Sequence, residues 1–254
     1  MRSVRLGDVE VPRIGLGTNR LSYTPRHVEF IRDAIAVGVR HIDTAHLYAG
    51  EESETTLGEA LSPATEDVVV CTKGGYHPGE GRPDVLRAQI DESLRRLRRD
   101  TIALYYLHRV DPKTPLEESF GTIKEYRDAG KIRHVGISEV DVEQVERARR
   151  VVPIAAVQNH YSLTERKHEA VVDHCAHEGI VFVPYFPLRG VRSPTLETIA
   201  EQHGATPSQI ALAWLLRRSS TMLPIPGTLA PDHVRENLGA LEIELGDDEF
   251  RALG

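Results

Sequence analysis

Asp43, Tyr48, Lys73 and His108 bring together a carboxylate, a phenol, an ammonium and an imidazole in the first half of the chain. Gathered at one point, such groups can give a proton to an oxygen or take one away. A tyrosine alone is a poor acid–base group near neutrality, with an ordinary pKa of about 10. A neighbouring ammonium favours the phenolate and so brings the phenol toward operating pH. Each residue also has an ordinary structural reading. Asp43 and Lys73 can be an ion pair that only ties strand ends. Tyr48 can be a packing aromatic, and His108 a satisfied interior histidine. Their joint placement decides between the two.

That placement follows from the order of elements. Residues Val4–Val11 alternate apolar and polar around Gly7-Asp8, which predicts a β-hairpin. A short apolar segment follows at Ile14–Gly17, and then a helix from about His27. Further β-like runs lie at Val39–Ile42, Val68–Cys71, Ile102–Leu107, Ile132–Ile137, Ile154–Val157, Ile180–Pro184 and Met222–Ile225, eight in all. Helical stretches separate them, the clearest with Leu86, Ile90, Leu94 and Leu97 on one face. Thr114-Pro115-Leu116-Glu117 and Thr206-Pro207-Ser208-Gln209 both read as helix starts, with Thr as the cap and Pro first.

Strands alternating with helices predict an α/β fold, and eight of them a closed (β/α)8 TIM barrel behind an N-terminal hairpin. No linker or change of composition interrupts residues 1–254, so one domain is expected. Chemistry in such barrels belongs at the C-terminal ends of the strands. The residues there are Gly17-Thr18-Asn19, Asp43, Lys73, His108, Ser138-Glu139, Gln158-Asn159, Tyr185 and Pro226-Gly227-Thr228. Successive strand ends would therefore aim Asp43, Lys73 and His108 into one mouth, with Tyr48 just beyond the second strand.

This pattern resembles the aldo-keto reductase family over nearly the whole chain, including small bacterial members such as pyridoxal reductases. His41-Ile42-Asp43-Thr44-Ala45-His46-Leu47-Tyr48 looks like the family's aspartate-to-tyrosine segment. Thr72-Lys73 and Leu104-Tyr105-Tyr106-Leu107-His108 match its lysine and histidine. Gly136-Ile137-Ser138, Val157-Gln158-Asn159, Pro184–Leu188 and Ile225-Pro226-Gly227-Thr228 resemble its cofactor-binding stations. The resemblance implies a cytoplasmic oxidoreductase reducing aldehydes or ketones, with hydride from NADPH and a proton from Tyr48. Lys73 would tune Tyr48, Asp43 would hold Lys73, and His108 would orient the carbonyl.

The resemblance also implies a cofactor path. Gly17, Thr18, Asn19 and Asp43 would lie at the nicotinamide, Ser138 and Gln158 on its carboxamide, and Tyr185 against its ring. Leu188 and Gly190 would follow the pyrophosphate, Gly227, Thr228 and His233 would meet the adenosine phosphate, and Glu236 and Asn237 the adenine. This chain departs from the family at three points. Glu139 stands where asparagine is usual, Gly227 where a lysine reaches the 2′-phosphate, and His233 where an arginine does. Those cations discriminate NADPH from NADH through charge-assisted hydrogen bonds. NADPH is the expected cofactor, with NADH left open. No Gly-x-Gly-x-x-Gly fingerprint precedes the first helix.

For the substrate, Arg20, Tyr76 and Arg109 are candidates, with Leu47, His77 and His160 also at the rim. The short connection after the seventh strand and the ending soon after Leu245 predict an open mouth. Two other functions stay open: a cofactor-binding regulatory subunit resembling channel β-subunits, and a Schiff-base aldolase using Lys73 as nucleophile. A net charge of -7 argues against a nucleic-acid partner. No apolar run reaches transmembrane length, and two cysteines make no disulfide framework. His174 and His177 lack a third metal ligand, so no metal is expected. The partner is a small carbonyl molecule, and the protein is expected to be a monomer or weak homo-oligomer.

Overall fold

A computed structural model describes residues 2–62 and 67–254; Met1 and residues 63–66 of the expected 1–254 domain lie outside it. Strands β1 (Ser3–Leu6) and β2 (Val9–Pro12) pair antiparallel, with Leu6 opposite Val9. Gly7 takes the left-handed φ of +62° that so tight a turn demands. Alternation sends Val4, Leu6 and Val11 to one face. That face packs on Val69, Leu104, Ala156, Val181 and Leu223. The hairpin thus plugs one end of the barrel with apolar surface.

Seven parallel strands follow in sequence order: β3 (Leu16–Gly17), β4 (His41–Asp43), β5 (Val69–Gly74), β6 (Ile102–Leu107), β7 (Ile132–Ser138), β8 (Ile154–Gln158) and β9 (Val181–Phe182). The expected eighth strand at Met222–Ile225 is not a regular strand. Among the described residues the segment bridges the two edges only at Phe182↔Met222 and, two residues beyond the run, at Gly17↔Gly227. The reason lies in its prolines. Leu223 N and Ile225 N donate to Phe182 O and Pro184 O on one side. On the other, Pro224 O and Pro226 O accept from Gly15 N and Gly17 N, but neither proline has an N–H to return. The barrel closes through half a ladder.

Among the described residues ten α-helices separate or follow the strands: α1 (Pro25–Ala36), α2 (Glu52–Ala60), α3 (Pro83–Leu97), α4 (Leu116–Asp128), α5 (Val142–Arg149), α6 (Glu169–Glu178), α7 (Pro194–His203), α8 (Pro207–Arg218), α9 (Pro231–Gly239) and α10 (Asp247–Ala252). Helix α3 buries Leu86, Ile90, Leu94 and Leu97 as its periodicity predicts. Each such side chain contributes about 1.5–3 kcal/mol of transfer free energy. Thr206 and Gln209 form a complete capping box on α8. Thr114 does not cap α4, contrary to its sequence signature; the N-cap is Pro115. The Thr114 hydroxyl donates instead to Asp111 Oδ2 at 2.8 Å, and Asp111 also accepts from Gly79 N and Gly81 N. A start was also missed: Thr24 caps α1 by accepting from His27 N, ahead of the expected first residue.

Strand alternation decides what enters the barrel. Along β5, Val70 belongs to the layer between strands and helices, and Thr72 Oγ1 reaches Glu54 on α2. Val69, Cys71 and Lys73 point the other way. Cys71 is fully buried, with Sγ 3.1 Å from His41 Nε2. Below the mouth, Tyr106 fills the interior and its neighbour across the sheet is Gly136. A Cβ at Gly136 would press into the Tyr106 ring. Gly136→Ala is expected to destabilise the protein by about 1–3 kcal/mol through overpacking. Urea denaturation measures this, and an unchanged midpoint would show that Tyr106 has room to move.

Candidate active site

The mouth is organised around Lys73, which is fully buried at the end of β5. Its Nζ donates to Asp43 Oδ1 at 2.7 Å, to Thr44 O at 2.7 Å and to Tyr48 Oη at 3.3 Å. These three acceptors use all three ammonium protons. The other Asp43 oxygen, Oδ2, accepts from Gln158 Nε2 at 2.8 Å. Burial works against the lysine's charge, but Asp43 and Tyr48 outweigh it and hold the pKa above its ordinary value. Lys73 is therefore an ammonium with no proton to spare. That state opposes the Schiff-base alternative, which needs a neutral, nucleophilic amine.

Tyr48 follows β4 on a turn in which Tyr48 N donates to Ala45 O and Ser53 N to Tyr48 O. Its ring faces the ammonium, 4.7 Å from Nζ to the ring centroid. The sequence expectation was that Lys73 lowers this phenol toward neutrality. The net shift is upward: burial raises the pKa more than Lys73 lowers it, and Asp43 also raises it. Tyr48 thus rests as a protonated phenol at neutral pH.

His108 follows β6 directly and is anchored by its backbone N–H to Gly74 O at 2.8 Å. Burial first, then the charges of Lys73 and Arg109, push its pKa down to about 2. The imidazole is neutral. Its Nδ1 is buried and unpaired. An unpaired buried N–H is rarer and costlier than an unpaired acceptor, so the ring proton belongs on Nε2. The Tyr48 and His108 rings meet edge-on at 5.8 Å.

A cavity of about 560 Å³ opens above these groups. Tyr48, His108 and Asp43 line it together with Gly17, Thr18, Asn19, Ser138, Gln158, Tyr185 and Gly227 from the expected cofactor path, and with Arg20, Tyr76 and Arg109. Leu188, Gly190, Thr228, His233, Glu236 and Asn237 lie outside this lining. Of these, Thr228 Oγ1 accepts from Ala230 N at 3.0 Å, and Glu236 accepts from Thr206 Oγ1 at the start of α8. Arg235 is paired with Asp232 at 2.9 Å. The adenosine end therefore offers an exposed His233 and backbone groups, with its arginine already engaged.

Two residues were not singled out from sequence. Phe186 lines the cavity with its backbone held at φ +51°, and Pro187 follows it on the same wall. A bulky residue in that region is strained, and nothing in the residue order signals it. Glu139, which stands where asparagine is usual, is not among the residues lining the cavity. At φ +57° it accepts from His160 N and lies 3.8 Å from His168 Nε2. Against burial, His168, His160 and Tyr185 hold its carboxyl down at about 2. His160 in turn stacks on Tyr185 at 5.3 Å with 13° between planes. His174 is paired with Glu146 and His177 with Glu178.

Residues 13–194 and 191–254 match the model of the aldo/keto reductase family. The chain is 36% identical to the pyridoxine 4-dehydrogenase of Escherichia coli over 98% of its own length and 96% of that protein. A thermostable aldo-keto reductase solved with the inhibitor epalrestat superposes with a TM-score of 0.93 and 35% identity, covering 100% of this chain and 98% of that one. An aldo-keto reductase from Klebsiella pneumoniae in complex with NADPH gives a TM-score of 0.91 and 29% identity, covering 99% and 93%.

Removing the ammonium leaves Asp43 buried without a counter-charge. Lys73→Met is expected to cost about 3–5 kcal/mol in denaturant unfolding, and the double change Asp43→Asn, Lys73→Met to cost less. A single-variant loss under about 1 kcal/mol would mean that Asp43 is hydrated in solution.

Proposed function

The chain belongs to the aldo/keto reductase family, and on that premise we propose that Tyr48 is the proton donor in an NADPH-dependent reduction of small aldehydes or ketones to alcohols. The observation that carries this assignment is the contact of Tyr48 Oη with the buried, Asp43-held ammonium of Lys73 at 3.3 Å, beside a neutral His108.

The residues of the cavity fit a nicotinamide. Tyr185 offers a half-buried aromatic face, Ser138 and Gln158 offer polar groups for a carboxamide, and Gly17 and Gly227 put no side chain on the floor between them. NADPH supplies the hydride to the carbonyl carbon. The chain's own residues manage the oxygen. The Nε2–H of His108 donates to the carbonyl oxygen and orients it. Tyr48 then gives its proton to that oxygen as negative charge develops there. The resulting phenolate stays within hydrogen-bond reach of Lys73, which stabilises charge that exists only after transfer begins. Solvent at the open mouth restores the proton.

Pyridoxal is the named candidate substrate, supported by the kinship with the pyridoxine dehydrogenase. One barrel domain, a monomeric or weakly associating state and a cytoplasmic location complete the reading. Both cysteines are free and buried, and among the described residues no helix is long and apolar enough to cross a membrane. NADPH is favoured over NADH, through Thr228, backbone N–H groups near α9 and Arg235, whose exposed pair with Asp232 a phosphate can displace, rather than the usual lysine. A regulatory subunit would bind the nucleotide without turning over.

Absorbance assays with NADPH and NADH against a panel of aldehydes and ketones test the reaction. Tyr48→Phe is expected to lower kcat by roughly 10²–10⁴-fold while NADPH fluorescence quenching persists. Quenching without turnover of any carbonyl would support the regulatory reading, and absence of both would sink the proposal. A second expectation concerns pH. Tyr48 rests protonated, with its pKa raised, and His108 neutral, with its pKa lowered to about 2. Reduction should therefore show no inflection between about pH 5.5 and 8 and should decline only as the phenol ionises above about pH 10. A break in kcat/KM near pH 6.5 would assign a titrating histidine to the step.

A further inference from the structure

Arg109 takes no part in the proton transfer just described, yet it stands at the mouth immediately after His108. Its Nη1 donates to His108 O at 3.0 Å and to Ser138 Oγ at 3.2 Å. The guanidinium lies 5.3 Å from the Tyr76 ring centroid and 6.0 Å from that of Tyr185. All of these neighbours are uncharged. Among the described residues no carboxylate forms an ion pair with it. Glu139 feels its charge and is linked to it through the Tyr185 hydroxyl, which bonds both, but it makes no direct ion pair with Arg109 and accepts from His160 N beside His168. The other buried charge here, Lys73, has its counter-ion in Asp43. A half-buried arginine without one is the exception at this mouth.

We propose that Arg109 is a specificity-determining residue that holds an anionic oxygen of the substrate, a carboxylate or phenolate, while the carbonyl rests on Tyr48 and His108. This rests on the reductase reading of the same cavity. Both protons of Nη1 are committed and the Tyr185 hydroxyl also bonds the guanidinium, but among the described residues no anion is bonded to it directly, and a carboxylate matches its fork. The spacing fits one small molecule. From Tyr48 to His108 is 5.8 Å, from His108 to Tyr76 4.8 Å, and from Tyr76 to the guanidinium 5.3 Å.

The walls add a shape. Tyr76 and Phe186 are two of the three exposed large hydrophobic residues among those described, and both line this cavity. The Tyr76 loop is pinned, because Glu80 accepts from Tyr76 N and His77 N at 3.0 Å each. Phe186 is held outward by its left-handed backbone. Flat apolar faces beside an unpaired guanidinium suit a planar ring bearing both a carbonyl and an anionic oxygen. Pyridoxal, with a phenolic oxygen next to its aldehyde, belongs to this class.

The test compares 2-, 3- and 4-formylbenzoate with their methyl esters, using the full chain and NADPH. At least one carboxylate is expected to exceed its ester by roughly tenfold or more in kcat/KM. Arg109→Gln should bring that ratio close to one, and Arg109→Lys should keep part of it. Calorimetric titration of the NADP⁺-loaded protein with benzoate reads the site without turnover, and Arg109→Gln should weaken binding roughly tenfold. An unchanged ratio or unchanged benzoate affinity in Arg109→Gln overturns the proposal, as does a loss of NADPH affinity that accounts for the whole effect. If no aldehyde turns over but benzoate binding still requires Arg109, the reductase reading fails and the anion site stands.

Discussion

Lys73 carries its charge where solvent does not reach, and the barrel mouth is built to make that tolerable. Taking an ammonium out of water costs several kcal/mol even after relaxation. Asp43, the Thr44 carbonyl and Tyr48 return that cost through three short contacts, and Gln158 takes the carboxylate's other oxygen. These partners come from β4, the turn after it and β8, around a lysine on β5. One electrostatic requirement therefore fixes the relative positions of several strand ends. It also acts on residues it does not touch, since the same charge helps to keep His108 neutral. Catalytic geometry and local stability here share a single cause.

The fold meets that requirement by ordinary strand alternation. Lys73 faces inward because Val69 and Cys71 do, four and two residues earlier. The interior beneath it is kept dry by Tyr106, by the glycine that gives Tyr106 room, and by the hairpin's Val4, Leu6 and Val11. Closure is looser on the opposite side of the barrel. There Pro224 and Pro226 accept but cannot donate, and Gly17 comes close to Gly227 without side chains between them. A regular eighth strand would need the N–H groups that the prolines remove. The irregular side is also where the cavity runs from Asp43 to Gly227, so the backbone that closes the barrel also leaves a floor on which a flat ligand can lie.

The features legible in the sequence are those set by local order. Asp43, Lys73 and His108 follow apolar runs, and a parallel barrel brings strand ends together whatever fills the helices. The features that were not legible depend on competition between distant groups. The Thr114 signature is a good helix cap, but Asp111 offers its hydroxyl a charged acceptor and wins. The run Met222–Ile225 has strand-like residues, yet its pairing fails where proline has no proton to give. Phe186 sits before Pro187, a position that normally favours extended backbone, and adopts a left-handed conformation that residue order does not signal. The direction of the Tyr48 shift needed two opposed quantities, burial and the residual field of a compensated ammonium, neither of which is a property of residue order.

That direction bears on how the site works. An ammonium beside a phenol is usually credited with making the phenol a stronger acid at rest. Here the resting phenol is a weaker acid than free tyrosine, because burial penalises the phenolate more than Lys73 favours it, and Asp43 adds to that penalty. The proton is thus retained until the substrate oxygen becomes basic, which happens only as hydride reaches the carbon. Lys73 then acts on a charge that did not exist before, and stabilisation confined to the transition state accelerates a reaction without trapping its ground state. The equilibrium between carbonyl and alcohol belongs to the reactants, but the proton inventory belongs to the site. Reduction starts from the state that Tyr48 already occupies at neutral pH. In the proposed mechanism alcohol oxidation starts from the phenolate, which burial disfavours, so the two directions draw on opposite protonation states of Tyr48.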